Sequence, residues 1–234
     1  MTAPSRRGLA VVVGASGGIG RAAADALNAG GAFAQVLCFS RTGDPSIDLT
    51  SEPSVAEAAA RIAATDAPLR LVVDASGFLH GDGLMPEKSW REIDPVHMQR
   101  AFAINAIGPA LLMKHLLPLF PADARAVFAT LSAKVGSIGD NHLGGWYAYR
   151  ASKAALNQLV RTAAIELRRK RPNAICVALH PGTVDTKLSE PFARSGLEVQ
   201  TPDRAAADLL RTIAALQPAD SGGFFDRHGH ALPW

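Results

Sequence analysis

The chain has little of what marks secreted, metal-binding or nucleic-acid-binding proteins. Only two of its 234 residues, Cys38 and Cys176, are cysteines, so no disulfide framework or cysteine zinc site is expected. Aromatic residues make up 6% and the net charge is +3, too little for a basic surface with interleaved aromatics. No apolar run reaches membrane-spanning length, and residues 1–8 lack a signal-peptide core. We therefore expect a cytoplasmic protein with no membrane or nucleic-acid partner.

Histidines near the end of the sequence are too sparse for a metal site. His228 and His230 are separated by one glycine, and no third ligand lies at a suitable spacing. A solvated segment explains them better, so no metal is predicted.

Strand-like and helix-like segments alternate along the whole chain. Apolar, β-branched runs typical of buried strands alternate with stretches of helical periodicity. The predicted strands are 9–13, 33–39, 69–73, 126–131, 174–179 and 223–226, and the predicted helices are 21–29, 53–64, 97–117, 147–169 and 202–216. This alternation predicts an α/β protein with one domain over residues 1–234, a Rossmann-type doubly wound parallel sheet flanked by helices. Irregular stretches at 78–96 and 187–201 follow strand ends and are predicted to cover a substrate.

A glycine-rich turn follows the first predicted strand. It contains Gly14, Ser16, Gly18, Ile19 and Gly20, and it leads directly into the first predicted helix. Glycine lets the backbone approach a ligand closely, while free N–H groups at a helix start face phosphate oxygens. The spacing is G-x-x-x-G-x-G rather than the more common G-x-G-x-x-G. The turn predicts a site for a dinucleotide.

A tyrosine and a lysine form a candidate acid/base pair on the fourth predicted helix. Tyr149 and Lys153 are four residues apart, so their side chains share one helix face with Cβ atoms about 5–6 Å apart. A phenol titrates near ~10, and a nearby ammonium is expected to pull its pKa toward neutrality. Such a pair is suited to proton exchange with a carbonyl or alcohol oxygen.

These motifs, in this order, resemble the short-chain dehydrogenase/reductase family, and residues 125–157 and 223–234 are most similar to its C-factor-like branch. The resemblance implies a nicotinamide-dependent oxidoreductase in which Tyr149 protonates the carbonyl, Lys153 also holds the nicotinamide ribose and Asn105 supports the lysine through a water. It implies an adenine contact for Asp48 and a nicotinamide carboxamide site after Pro181. Beyond the glycine turn, the resemblance assigns cofactor binding to Asp48, Leu49, Asn105, Tyr149, Lys153, Pro181, Gly182, Val184 and Thr186.

Two segments depart from the family pattern. Asp74 begins a segment where the family has Asn-Asn-Ala-Gly, for which we expect altered packing rather than lost activity. Ala133 occupies the place of the family's catalytic serine in an ungapped alignment, leaving Ser132 and Ser137 as candidates. We favour Ser132, because it directly follows a strand and is more rigidly placed than Ser137.

The end of the second predicted strand indicates the cofactor. An acidic residue there would bind the ribose 2′-hydroxyl of NAD, whereas an arginine accommodates the 2′-phosphate of NADP. The strand is followed by Ser40 and Arg41, and no carboxylate occurs before Asp44. We therefore expect NADP, with NAD as the less favoured alternative.

Two functions from different classes fit these residues. The first is an NADP(H)-dependent carbonyl reductase or alcohol dehydrogenase acting on a small molecule, with Tyr149, Lys153, Ser132 and Asn105 as its catalytic residues. The second is a nucleotide-binding signalling or sensor protein with little turnover, which the displaced serine keeps open. The complete Tyr/Lys/Asn set favours the enzyme.

We also expect a homodimer or homotetramer. The alanine-rich helices predicted at 97–117 and 147–169 carry more apolar residues than one sheet-facing stripe requires. In the family that the chain resembles, the corresponding helices pair across a two-fold axis.

Overall fold

A computed structural model of the chain describes residues 7–192 and 199–234. The strands, in chain order, are β1 (Leu9–Val13), β2 (Gln35–Phe39), β3 (Leu69–Asp74), β4 (Ala126–Leu131), β5 (Ala174–His180), β6 (Thr183–Val184), β7 (Val199–Gln200) and β8 (Phe224–Asp226). The α-helices are α1 (Gly18–Gly30), α2 (Glu52–Ala63), α3 (Pro95–Phe102), α4 (Gly108–Leu116), α5 (Tyr147–Lys170) and α6 (Pro202–Ala215). The predicted fold class is confirmed.

Six of the strands form one parallel sheet in the order β2-β1-β3-β4-β5-β8. The order reverses at β1, which lies between β2 and β3, and Val13 at its end pairs with Phe39 and Asp74. In sheets of this kind ligands bind beyond the carboxyl ends of the strands, at the point of reversal. The glycine turn begins at that point, directly after Val13.

Apolar side chains cover both faces of the sheet. One cluster joins the strands to α2, α4 and α5 and includes Phe128 and Leu156, which are fully buried. The other joins them to α1 and α6 and includes Ile175 and Leu209. Cys176 is buried as a small apolar residue, whereas Cys38 is only partly buried. With both faces covered, the exposed edge at the strand ends is left to bind ligands.

The predicted helix 97–117 is not continuous. A π-helical segment, Ala103–Ile107, separates α3 from α4. Sequence periodicity does not reveal such a segment, because one turn of π-helix shifts the apolar stripe by only one residue. The structure also pairs β6 with β7, two short strands that no alternating pattern marks. The predicted covering loop 187–201 lies partly outside the described residues, because 193–198 are not among them.

The stretch Pro95–Leu119 is long and apolar enough to cross a membrane, with a mean hydropathy of 1.3 over its best window. This differs from the expectation that no run reaches that length. In the fold, 39% of that window is buried, and the stretch contains the fully buried Asn105. Length and composition are shared by core helices, and this stretch packs against α5 within the domain.

Candidate active site

The glycine turn forms a cradle that side chains would fill. Gly14 has a φ of +79°, and a Cβ there would lie 2.9 Å from the backbone of Ala75. A Cβ on Gly20 would lie 2.3 Å from the carbonyl oxygen of Gly14. The cap of α1 is Gly17, which provides no side-chain hydrogen bond, and the first turn has no acidic residue. The free N–H groups and the helix dipole therefore favour an anion such as a dinucleotide pyrophosphate.

The segment after β5 meets this cradle. A Cβ on Gly18 would lie 2.9 Å from the Thr186 Cγ2 atom, so the turn and the predicted nicotinamide segment are in direct contact. Gly182 has a φ of +79°, and a Cβ there would lie 2.4 Å from a guanidinium nitrogen of Arg227. Val184, in the same segment, is buried.

The end of β2 lies beside the same turn. The backbone N–H groups of Gly14 and Ala15 donate to the carbonyl oxygen of Phe39, at 2.9 and 3.1 Å. Ser40 is buried and Arg41 exposed directly after this contact. Arg41 is thus close to the glycine turn, which is where a residue that binds the 2′-phosphate of NADP must lie.

The predicted cofactor residues Asp48 and Leu49 differ in exposure. The exposed Asp48 carboxylate accepts the Thr50 hydroxyl at 2.7 Å and the Thr50 N–H at 2.9 Å, and these bonds lower the pKa of Asp48. Leu49 is 8% exposed, and a Cβ added to Gly108 would lie only 2.8 Å from the Leu49 Cβ. Leu49 therefore packs against the start of α4, and Asp48 remains accessible to a ligand. Ser16 is exposed in the glycine turn and Ile19 packs against the core.

Tyr149 and Lys153 lie on the buried face of α5, next to the end of β4. The Lys153 ammonium lies 5.9 Å from the centre of the Tyr149 ring and donates to the Leu131 carbonyl oxygen at 2.7 Å. Tyr149 is 9% exposed and Lys153 2%. Gly136 permits this packing, since a Cβ there would lie 2.7 Å from the Lys153 Cβ. The sequence spacing thus places the pair as predicted.

Burial controls the titration of both groups. It raises the pKa of Tyr149 to about 12 and lowers the pKa of Lys153 to about 8, an effect that the charge of Asp74 partly offsets for the lysine. The expected lowering of the Tyr149 pKa by Lys153 is therefore wrong for this structure. At neutral pH the phenol is protonated, which is the form that donates a proton to a carbonyl oxygen.

Asn105 connects the pair to the segment after β3. It lies in the π-helical segment and is fully buried, and its amide oxygen accepts the Phe78 N–H at 2.7 Å. Its amide nitrogen donates to the Phe78 carbonyl oxygen at 2.8 Å and to the Ser152 hydroxyl at 3.0 Å. Ser152 in turn donates to the Tyr149 carbonyl oxygen at 2.9 Å. Sequence reasoning gave Ser152 no role, although it lies between the two catalytic candidates.

Asp74 is a second residue whose importance the sequence understated. Its carboxylate is fully buried and accepts the Ser76 hydroxyl at 2.6 Å, the Ser76 N–H at 3.1 Å and the Thr130 hydroxyl at 2.7 Å. Burial is the largest effect on its pKa and raises it. The departure from the family's asparagine thus introduces an ionisable group whose charge acts on Lys153.

Both candidate serines have their hydroxyls engaged within the protein. Ser132 is 3% exposed and donates to the Asn157 amide oxygen at 2.7 Å. Ser137 is 2% exposed, donates to the Trp234 carbonyl oxygen at 3.2 Å and accepts the Asp140 N–H at 3.1 Å. A hydroxyl has one proton to donate, so either serine would have to exchange its partner to bind a substrate oxygen.

Aromatic rings from three segments extend outward from Tyr149. The Trp146 ring lies edge-to-face with that of Tyr149 at 6.2 Å and with that of Phe192 at 5.0 Å. His80 continues the series, with its ring 5.5 Å from Phe192. The loop before Tyr149 thus contributes the Trp146 ring beside the candidate site. Phe192 and His80 carried no recognisable signal in the sequence.

Comparison with known proteins identifies the family. A model of the family described as short chain dehydrogenase matches residues 8–197. The chain belongs to this family. It is 39% identical over 143 residues to the C-signal of Myxococcus xanthus, covering 61% of this chain and 82% of that protein. It is 33% identical over 193 residues to 1-hydroxy-2-glutathionyl-2-methyl-3-butene dehydrogenase of Rhodococcus sp. (strain AD45), covering 82% and 80% of the two proteins.

Solved structures of the family support a nicotinamide cofactor. The NADPH-bound carbonyl reductase from chicken fatty liver superposes with a TM-score of 0.85 at 25% identity, covering 99% of this chain and 96% of that one. A short-chain dehydrogenase/reductase from Burkholderia multivorans with bound NADP gives a TM-score of 0.79 at 25% identity, covering 97% and 100% of the two chains. The glycine cradle fits such a cofactor, and the protein is a short-chain oxidoreductase.

Proposed function

We propose that the protein is an NADP(H)-dependent reductase of small-molecule carbonyl compounds, or catalyses the reverse oxidation of the alcohols. The observation that carries this proposal is the buried Tyr149–Lys153 pair at the end of β4. It lies at the same sheet edge as a glycine cradle that touches Thr186. A neutral phenol next to a dinucleotide site is suited to protonating a substrate oxygen.

In this proposal Tyr149, Lys153 and Asn105 have different roles. A reduced nicotinamide, when bound, supplies the hydride to the carbonyl carbon. Tyr149 donates its phenolic proton to the carbonyl oxygen as negative charge develops there. The Lys153 ammonium would hold the nicotinamide ribose. Asn105 fixes the wall of the site through Phe78 and Ser152.

The serine contribution rests on Ser132. Its hydroxyl follows β4 directly and would orient the substrate oxygen after releasing the Asn157 amide. Ser137 is the alternative, held by the Trp234 carbonyl oxygen.

NADP is the proposed cofactor. Arg41 is exposed after the β2 end, and that strand end binds the glycine turn through the Phe39 carbonyl oxygen. A guanidinium at this place pairs with a 2′-phosphate, whereas NAD recognition would require a carboxylate.

A second candidate function is a nucleotide-binding signalling protein with little turnover. It is favoured by two observations, the 39% identity to a protein named C-signal and the engagement of both serine hydroxyls within the fold. Steady-state turnover of NADPH with a panel of aldehydes and ketones distinguishes the two functions. We expect saturable turnover that is lost in the Tyr149→Phe variant. Saturable NADPH binding without turnover would favour signalling instead.

We further propose a homo-oligomer formed through α4 and α5. A groove of about 620 Å³ between these helices is lined by apolar residues, among them Met113, Leu117 and Ala163, and by the charged Lys114, Glu166, Lys170 and Arg171. Ile107 and Ile165 nearby are 53% and 42% exposed. Pairing with a second copy would cover this apolar surface. A molar mass in solution equal to that of one chain at all concentrations would contradict it.

A further inference from the structure

The catalytic helix α5 begins without a cap from its own sequence. Its N-cap residue, Trp146, provides no side-chain hydrogen bond, and its first turn has no acidic residue. Gly144, Gly145 and Trp146 all have left-handed φ values, of 65°, 66° and 53°. A tryptophan rarely adopts this conformation, so contacts from elsewhere must hold it.

Glu87 supplies those contacts from the segment between β3 and α3. It is 2% exposed, and its two carboxylate oxygens accept the Ala148 N–H at 3.2 and 3.4 Å. Its backbone carbonyl oxygen accepts the Trp146 N–H. A Cβ on Gly145 would lie 3.2 Å from that same carbonyl oxygen, so the two segments are closely packed. One residue thus binds the last loop residue and the first turn of α5.

The helix start fixed by Glu87 carries the proton donor. Ala148 directly precedes Tyr149, and the Trp146 ring packs edge-to-face on the Tyr149 ring. A displaced first turn would therefore move the phenol relative to Lys153, which is held independently by the Leu131 carbonyl oxygen.

Glu87 is also tied to the opposite wall of the site. Its carboxylate lies 3.4 Å from the Nδ1 atom of His97 on α3, a residue that is itself 2% exposed. The His97 ring packs edge-to-face on Phe78, whose backbone binds Asn105. The carboxylate therefore connects the start of α5 to the segment that Asn105 holds.

We propose that Glu87 is a positioning residue for Tyr149, acting by accepting the Ala148 N–H at the start of α5. This inference rests on the proposed reductase function. It predicts that an acceptor of the same length is required at position 87, and that a negative charge is not.

Three substitutions test the proposal. Glu87→Gln keeps the side-chain length and one acceptor oxygen but removes the negative charge. Glu87→Asp keeps the charge, but its shorter side chain does not reach the Ala148 N–H. Glu87→Ala removes the charge and the acceptor oxygens together. Arg125→Ala is the matched control, because Arg125 donates to the carbonyl oxygens of Ile213 and Leu216 at the end of α6, away from α5. All variants are assayed well below their melting temperatures.

We expect kcat to fall about 10-fold or more in Glu87→Ala and Glu87→Asp, since small misplacements of reacting groups are costly. Glu87→Gln and Arg125→Ala should keep kcat within about three-fold, and KM for NADPH should not change in any variant. If Glu87→Ala fails to fold, the proposal is tested by which of Glu87→Asp and Glu87→Gln has the higher kcat. A Glu87→Asp enzyme more active than Glu87→Gln would show that charge matters instead and would overturn the proposal.

A protein without turnover still tests the positioning role. In that case the proposed reductase function fails, and amide hydrogen exchange at Ala148 and Tyr149 becomes the measurement. We expect exchange about 10-fold faster in Glu87→Asp than in Glu87→Gln, because only the longer side chain reaches the N–H. Equal exchange in the two variants would overturn the proposal independently of activity.

Discussion

The glycine turn after β1 and the Tyr149–Lys153 pair on α5 form two sides of one site, but they are built differently. The turn consists of contiguous residues, and its shape depends on backbone atoms, such as the Gly14 carbonyl oxygen against which Gly20 packs. The pair depends on side chains from separate segments, including Asn105 in the π-helical segment and Glu87 before α3.

This difference determines how each side is altered by substitution. In the turn, adding one methyl group displaces backbone and disturbs ligand binding directly. At the pair, loss of a supporting side chain leaves the cofactor cradle intact and displaces the reacting groups. We therefore expect changes in the turn to appear in cofactor affinity and changes in the side chains that support Tyr149 to appear in turnover. Lys153 is the exception, because it is proposed to hold the cofactor as well.

Tyr149→Phe is expected to give the largest difference between the effect on turnover and the effect on cofactor affinity. This substitution removes the phenolic oxygen with little change in volume, so turnover should fall by ~10²–10⁴. The dissociation constant for NADPH, measured by fluorescence titration, should stay within a few-fold of the wild-type value. Reductase activity within a few-fold of wild type would contradict the proposed mechanism.

Gly20→Ala should produce the opposite result. The new Cβ would lie 2.3 Å from the Gly14 carbonyl oxygen, which forces the turn to shift. An overpacked contact costs about 1–3 kcal/mol, so NADPH affinity should fall about 5- to 150-fold. Gly30→Ala at the other end of α1 is the control, because a Cβ there meets nothing within 4 Å. If both variants bind NADPH like wild type, the cradle does not hold the pyrophosphate.

Arg41→Asp tests the specificity of the cradle rather than its shape. Loss of a charge-assisted hydrogen bond and the added repulsion should weaken NADPH binding about 10-fold or more. NADH affinity should stay the same or rise, because NADH lacks the 2′-phosphate. Parallel changes in the two dissociation constants would show that Arg41 does not contact the cofactor.

The pair side should show a pH dependence set by Lys153. Its folded-state pKa is about 8, so the ammonium is present below that pH and is lost as the pH rises through it. The kcat/KM for NADPH, which reports groups of the free enzyme, should fall about 10-fold per pH unit above this value. Tyr149, with a pKa of about 12, stays protonated throughout this range. In Lys153→Arg the charge persists, and the remaining activity should be level over the same range.

The smallest effect is expected at the serines. Ser132→Ala should lower turnover about 10-fold, the value of one transition-state hydrogen bond of ~1.4 kcal/mol, while Ser137→Ala should leave it unchanged. The reverse result would assign the role to Ser137. If neither variant loses turnover, Tyr149 and Lys153 act without a serine, and the signalling hypothesis gains support.

The sequence was sufficient for the parts of the site that depend on local spacing. The glycine turn, the Tyr149–Lys153 face and the strand–helix alternation each follow from residues close together in the chain. The hydrogen bonds of Asp74 with Thr130 and the Glu87 cap join segments that meet only in the folded sheet. Burial raises the pKa of Tyr149, and the depth of burial cannot be predicted from the spacing of residues along one helix.

The contact between Gly18 and Thr186 has a consequence for biosynthesis. The two residues lie far apart in the chain, so the emerging polypeptide has its glycine turn long before the segment that completes the site. If both segments bind the cofactor, as proposed, high-affinity binding has to wait for β5 and the residues after it. Because a ligand that binds only the folded state stabilises it by mass action, the dinucleotide stabilises the finished sheet and gives little help to its early intermediates.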